Sequence, residues 1–170
     1  CQVDSVTNDS HMKDDTKVQS VPYKVSEVLK RDSEGESHDD TFDCRSVIGK
    51  LTHMQQCCRM DPSCMTHQCT RFSSAPKLLH TQALKWVGRC LMGARNKGFV
   101  IQPDMSKGSE SHVDLDWTGN WDPTSTTHNP DTAKWRCGFI TMFAGIPVMW
   151  SLRFVSLIAL SSMEAEHTSV

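Results

Sequence analysis

The sequence predicts an α+β fold in which helices come first and an antiparallel sheet follows. Residues 1–41 are polar and acidic without a sustained apolar period, residues 42–98 place apolar side chains at helical spacing, and residues 99–170 shift toward a spacing of two. We therefore expect an acidic, disordered linker over 1–41, a helical segment over 42–98, and three strands and then a helix over 99–170.

Charge follows nearly the same division of the chain. Residues 1–43 carry a net charge of −6, residues 44–107 carry +8, and residues 108–170 carry −4. A basic middle segment between acidic ends predicts a surface that faces a polyanion such as nucleic acid. An ordinary solvated helix face is the alternative.

In the helical segment, apolar residues recur three and four positions apart. One helix is predicted around Val47, Leu51 and Met54, and a later one begins at a cap on Ser74 and ends near Gly93. The polar side and the end of the later helix carry five basic residues, which we expect to contact nucleic acid. They are Lys77, Lys85, Arg89, Arg95 and Lys97.

Beyond Gly98 the apolar period predicts strands. "GFVIQP" predicts a short strand, "SHVDLDW" a second strand, and "WRCGFITMFAG" with "IPVMWSLRF" a hairpin. The last stretch, "LSSMEAEHTSV", predicts a helix that begins at a capping box made by Ser161 and Glu164.

The strand "SHVDLDW" places Asp114 and Asp116 together on the face opposite its apolar residues. A buried, unpaired carboxylate is costly, so these aspartates either bind a cation or face solvent. In the helix that follows, Glu164 is engaged in the cap, which leaves Glu166. We expect Asp114 and Glu166 to come together when that helix packs across the sheet.

Several stretches match one family in unbroken order from Phe42 to Val170. They are "CRSVIGKL", "HQCTRFSSAPKLLHTQALKWVGRCLMGARNKGFVIQPDMSKG", "VDLDWTGNWD", "DTAKWRCGFI", "AGIPVMW" and "IALSSMEAE". Together they resemble the copia-type retrotransposon polyprotein, at the point where the end of the reverse transcriptase passes into the ribonuclease H domain. The resemblance is specific because many separate motifs recur at the right spacing.

The resemblance implies a helical thumb or connection segment of the polymerase, followed by a truncated ribonuclease H-like unit. The first Asp of the family's Asp-x-Asp-Trp motif maps onto Asp114, and the second Glu of its Ser-Ser-x-Glu-Ala-Glu motif maps onto Glu166. Both are then catalytic residues and metal ligands, with Asp116 as a further candidate ligand. Two Mg²⁺ ions, about 4 Å apart, are the implied cofactors.

The resemblance also implies what the parent polyprotein does and binds. Its activities are RNA-templated DNA synthesis and Mg²⁺-dependent cleavage of RNA in RNA–DNA hybrids. The expected partners are an RNA–DNA hybrid or a DNA backbone, through the basic middle segment, and the rest of the polyprotein. Because the family's remaining catalytic aspartates are expected beyond Val170, we expect the metal site of this chain to be incomplete.

The chain departs from the family pattern at several motif positions. They are Cys44, Met60 in place of the Pro of an Arg-Pro-Asp motif, Leu115, His167, and the stretch "SLRFVS" after Trp150. Such departures are typical of a decayed copy. The alternatives to an active parent are therefore a non-catalytic nucleic-acid-binding remnant and a host-adopted interaction module.

Spacing argues against other kinds of site. The Cys and His residues between His53 and Cys69 show no paired zinc-ligand spacing, and the adjacent Cys57 and Cys58 argue against a disulfide framework. The uncharged run that begins at Cys137 is shorter than the ~20 apolar residues of a membrane span. We expect a fragment of a longer reading frame that is intracellular, in the cytoplasm or nucleus, without membrane contact.

Overall fold

A computed structural model describes residues 2–9, 17–22, 29, 31, 34–37, 41–116 and 136–154. The chain divides into two compact units, residues 1–99 and residues 100–170. The first unit contains helices and the second a sheet, so the predicted α+β class with helices before strands is confirmed. The helix predicted after the strands lies outside the described residues.

The first unit is built around α2, which spans Cys44–Cys57. Its start is fixed by Asp43, whose carboxylate accepts a hydrogen bond from the Ser46 backbone N–H at 3.0 Å. Its apolar stripe is buried as the spacing predicts, with Val47 and Leu51 fully inaccessible. The other helices of the unit pack against this stripe.

Two further helices, α3 over Ser63–Thr70 and α4 over Leu78–Gly93, complete the predicted helical segment. The start of α4 differs from the prediction, because Lys77 rather than Ser74 is its N-cap. The Lys77 backbone N–H donates to Nδ1 of His80 at 2.9 Å, so a histidine ring satisfies one of the unpaired donors at this helix end.

A short helix, α1, forms over Gln2–Asp9, within the stretch whose composition predicts a linker. Val3 and Val6 are three positions apart, are buried, and join the core between α2 and α4. The segment 17–22 also lies along α4, where Trp86 Nε1 donates to the Val21 carbonyl at 3.0 Å. Few but well-spaced apolar residues therefore order parts of a polar segment.

The second unit contains an antiparallel sheet with strand order β1-β2-β3. Its strands are β1 over Ser109–Asp116, β2 over Arg136–Phe143 and β3 over Ile146–Phe154. The short strand predicted for "GFVIQP" is wrong: this stretch is extended but pairs with no described strand, and its residues are exposed. A 3₁₀ turn over Met105–Lys107, capped by Asp104, follows it and leads into β1.

The turn between β2 and β3 fixes their register. Ala144 and Gly145 both have positive φ, 50° and 77°, as a two-residue hairpin turn requires. The Ala144 N–H donates to the Gly108 carbonyl at 2.7 Å, and the Asp104 N–H donates to the Ala144 carbonyl at 2.9 Å. The segment before β1 therefore closes onto the hairpin.

None of the described helices has the length and the apolar content that crossing a bilayer requires.

Candidate functional site

The acidic face of β1 carries the first predicted site residue. Asp114 is exposed and lies directly opposite Gly138 of β2, with Leu152 of β3 next in the same row across the sheet. Because side chains alternate along a strand, His112 shares this face. The carboxylate thus bears little desolvation cost and is open to a ligand.

The predicted pairing of Asp114 with the carboxylates of Glu166 and Asp116 stays a prediction. Glu166 lies outside the described residues. Asp116 is the last residue of β1, and its backbone is paired with Arg136 of β2. The side chain of Asp116 is not among the described groups.

Among the side chains that the structure describes, no group of three or more His, Cys, Asp or Glu residues is arranged to hold a metal ion. For Mg²⁺, Asp114 fits as one ligand because it is an exposed carboxylate, and hard oxygen ligands are what this ion prefers.

Lys77 and Lys85, two of the five predicted nucleic-acid-binding residues, contact residues between α1 and α2. Lys77 Nζ donates to the Gly35 carbonyl at 3.1 Å, and Lys85 Nζ lies 5.2 Å from the centroid of the Phe42 ring. The first contact fastens the segment before α2 to α4, and the second is a cation–π interaction. Both lysines therefore contribute to the fold, whatever else they bind.

The other three basic residues surround the C-terminal end of α4. The Arg95 guanidinium forms a salt bridge with Asp4 of α1. Arg89 is half-buried, with its Nε atom out of solvent, whereas Lys97 is exposed. Lys97 also lines a cleft of about 360 Å³ together with Arg59. Arg95 and Lys97 are thus the exposed members of the set, and Arg95 is engaged by Asp4.

Comparison with known proteins identifies relatives of one kind. The chain is 28% identical over 131 residues to the retrovirus-related Pol polyprotein from transposon RE1 of Arabidopsis thaliana, a match that covers 77% of this chain and 8% of the relative. The corresponding polyprotein from transposon RE2 of the same plant is 27% identical over 131 residues, which again cover 77% of this chain and 8% of the relative. The polyprotein from transposon TNT 1-94 of Nicotiana tabacum is 27% identical over 124 residues, which cover 72% of this chain and 8% of the relative.

The chain resembles retrotransposon Pol polyproteins, as its motifs predict. It spans about 8% of the length of these relatives, so the activities of a whole Pol polyprotein reach it only as proposals. No protein-family model matches the chain, and no solved structure matches it.

An arginine clamp in this Pol-like chain was missed at the sequence level. Arg59 and Asp61 form a two-pronged salt bridge, with Nε to Oδ1 at 2.9 Å and Nη2 to Oδ2 at 2.7 Å, while Arg59 Nη1 donates to the Ala94 carbonyl at 2.8 Å. The Asp61 carboxylate raises the pKa of Arg59. A guanidinium that caps the C-terminal end of α4 also stabilises its dipole.

This clamp joins two residues of a motif that the resemblance implies. The resemblance leads one to expect Arg-Pro-Asp here, and this chain has Arg59 and Asp61 with Met60 in place of the proline. The two-residue spacing of Arg59 and Asp61 was the signal available in the sequence. The contact of Arg59 with the Ala94 carbonyl is seen only in the structure.

Proposed function

We propose that the chain is the part of a copia-type retrotransposon polyprotein in which the reverse-transcriptase thumb or connection passes into a ribonuclease H-like domain. Its parent then acts in RNA-templated DNA synthesis and in Mg²⁺-dependent cleavage of RNA in RNA–DNA hybrids. One observation carries the proposal: the first Asp of the Asp-x-Asp-Trp motif, Asp114, is exposed on the first strand of an antiparallel sheet that follows a helical unit.

The proposed roles follow from charge and position. Asp114 supplies a carboxylate on an open strand face, which binds a cation and so orients a phosphate carried by that cation. Glu166 is proposed as its partner ligand and Asp116 as a further ligand. When bound, Mg²⁺ ions supply activation of the attacking water and stabilisation of the leaving oxygen.

The proposed partners are an RNA–DNA hybrid and the rest of the polyprotein. Support for the hybrid comes from the basic segment 44–107 with its net charge of +8, since contacts to phosphates supply most non-specific affinity for nucleic acids. Lys97 is the first contact residue we propose, because it is exposed at the end of α4. An intracellular location, in the cytoplasm or nucleus, is part of the same proposal.

Hybrid binding tests the proposal. Fluorescence anisotropy would compare a labelled RNA–DNA hybrid with DNA duplex of the same sequence, each in Mg²⁺ and in EDTA, for the wild type and Asp114→Asn. We expect Mg²⁺ to strengthen hybrid binding by the wild type beyond its effect on the DNA duplex, and to give no such gain for Asp114→Asn. An equal Mg²⁺ effect in both proteins would contradict the proposed role of Asp114.

The non-catalytic remnant is the second candidate, and the observation in its favour is the set of motif departures on either side of Asp114. It predicts binding to hybrid and to DNA duplex alike, with no dependence on Asp114 or on Mg²⁺. A host-adopted interaction module predicts no binding to either nucleic acid.

A further inference from the structure

Gly138 lies in the middle of β2, the central strand of the described sheet, where glycine is an unfavourable residue. It has no side chain to pack and loses more backbone freedom on folding than any other residue. Its backbone does not explain the choice, because among the described glycines positive φ angles occur at Gly108 and Gly145 and not at Gly138.

The packing of the protein does not explain it either. A Cβ atom at position 138 would lie 3.3 Å from Leu152 Cδ1, 3.9 Å from the Asp114 carbonyl oxygen and 4.0 Å from the Ser151 carbonyl oxygen. The shortest of these contacts is with the end of a flexible side chain, which has only to move by a few tenths of an ångström. Alanine would therefore fit, and a glycine persists at a position where the fold alone does not demand one.

The position of Gly138 relative to Asp114 gives a reason for a glycine in this strand. The two residues are direct partners in the β1–β2 register, and side chains of directly opposed residues stand on the same face about 5 Å apart. A branched side chain at 138 would stand beside the Asp114 carboxylate and narrow the approach to it. Glycine in a strand often marks a place where a ligand comes close to the backbone.

We infer that Gly138 is a positioning residue that keeps the approach to Asp114 open for a hydrated divalent cation. The inference rests on the proposed function, in which Asp114 binds such an ion, and it adds a residue that is not itself a ligand. Mg²⁺ retains several of its waters when it binds to protein carboxylates, so the space beside the carboxylate matters as much as the charge.

The inference predicts that stability and ion binding change in opposite directions at position 138. Valine has a high strand propensity, so Gly138→Val should unfold at the same temperature as the wild type or higher. The same substitution should weaken ion binding because it occupies the space of the ion's water shell. A residue that is glycine for structural reasons would show the reverse.

The test uses the complete 170-residue chain, with Mn²⁺ as the probe, titrated while the broadening of amide NMR signals around Asp114 is followed. We expect Gly138→Val to raise the Mn²⁺ dissociation constant about tenfold or more, and Gly138→Ala to raise it less. The control is Ser151→Val, which places the same valine side chain on the opposite face of the sheet, at the β3 position paired with Phe139, and should leave Mn²⁺ binding unchanged. Thermal unfolding of each variant completes the comparison.

The outcomes separate this inference from the proposed function. Broadening that depends on Asp114 and is equally strong in Gly138→Val would overturn the role of Gly138 and leave the role of Asp114 standing. Broadening that is absent in the wild type, or unchanged in Asp114→Asn, would overturn both. If Gly138→Val fails to fold, Gly138→Ala decides, and wild-type affinity in that variant would overturn the inference.

Discussion

Asp114 contributes a charge that the fold does not use. It is exposed and belongs to no ion pair among the described side chains, so neutralising it removes no stabilising partner. We predict that Asp114→Asn leaves the free energy of unfolding unchanged or slightly raised, whereas loss of a paired, hydrogen-bonded structural Asp costs ~1–3 kcal/mol. Urea unfolding of the two proteins measures the difference.

Asp104 provides the control for that comparison within the same unit. Its carboxylate accepts hydrogen bonds from the Ser106 N–H at 3.1 Å and from the Ser106 hydroxyl at 2.6 Å. The bond from the hydroxyl is the main reason why the pKa of Asp104 lies below its usual value. Asp104→Ala should therefore destabilise the unit. Strong destabilisation by Asp114→Asn instead would make Asp114 a structural residue.

His80 holds the start of α4 in place. It is 2% exposed, its ring stacks on Phe72 with centroids 4.3 Å apart, and Nδ1 accepts from the Lys77 N–H. His80→Ala removes a helix cap and a buried aromatic contact, so we predict a loss of about 2–4 kcal/mol in urea unfolding. His53→Ala, at an exposed position of α2, should change stability by less than about 0.5 kcal/mol.

The cap on α4 illustrates which residues sequence reasoning finds. Sequence preference favours Ser74 because serine is a common N-cap, whereas a histidine three positions after Lys77 gives no common capping signal. The ring accepts the bond only because burial against Phe72 fixes its orientation. Local preference predicts that a helix starts in this region, and packing decides the residue.

At the scale of elements, the β2–β3 hairpin carries a strained residue at its turn. Ala144 has φ of 50°, a left-handed conformation that glycine adopts at little cost and alanine does not. We predict that Ala144→Gly raises the free energy of unfolding by up to about 1 kcal/mol. Gly145→Ala should lower it by about the same amount or more, since φ is 77° there and the new Cβ would lie 3.0 Å from Lys107 Cδ.

Thermal unfolding of both variants tests the turn assignment. Equal and opposite shifts would support a two-residue turn in which both positions need positive φ. If the turn were centred elsewhere, both variants would have the same thermal unfolding midpoint as the wild type.

Most elements of the fold were predictable because their apolar spacing is strong. The stripe of α2, the strand that contains Asp114, and the hairpin all follow from periods of 3.6 and two. The stretch "GFVIQP" failed because an apolar run becomes a strand only where a neighbouring strand supplies hydrogen bonds. Helix α1 was missed because Val3 and Val6 are too few to stand out in a polar segment, although both are buried.

For the molecule as a whole, the basic side chains divide between contacts within the fold and binding of nucleic acid. Lys85 contacts the Phe42 ring, whereas Lys97 is exposed. If Lys97 contacts a phosphate, Lys97→Ala should reduce the slope of log affinity against log salt by about 0.9 for duplex nucleic acid. Lys85→Ala should mainly reduce stability, by about 0.5–1 kcal/mol for a lost cation–π contact.

Anisotropy titrations at several salt concentrations measure the slopes. A slope unaffected by Lys97→Ala would remove this residue from the nucleic-acid surface. An unchanged stability of Lys85→Ala would remove the structural role of its contact with Phe42.

The candidate site was predictable in part for reasons of geometry. Strand periodicity places Asp114 on an accessible face, and the motif resemblance gives it a role. The partner of Asp114 across the sheet was not predictable, because β1 and β2 are far apart in sequence and no two-residue turn joins them to fix their register. That register is what brings Gly138 opposite the carboxylate.

We propose that Asp114 binds a divalent cation on the open face of the sheet, and metal-directed backbone cleavage tests this claim. Fe²⁺ substituted for Mg²⁺, with ascorbate and peroxide, generates hydroxyl radicals that cut the chain beside the bound ion, and mass spectrometry locates the cuts. We predict cuts in β1 around Asp114 and in β2 around Gly138, suppressed by excess Mg²⁺ and lost in Asp114→Asn. Cuts that lie elsewhere, or that persist in Asp114→Asn, would contradict the claim.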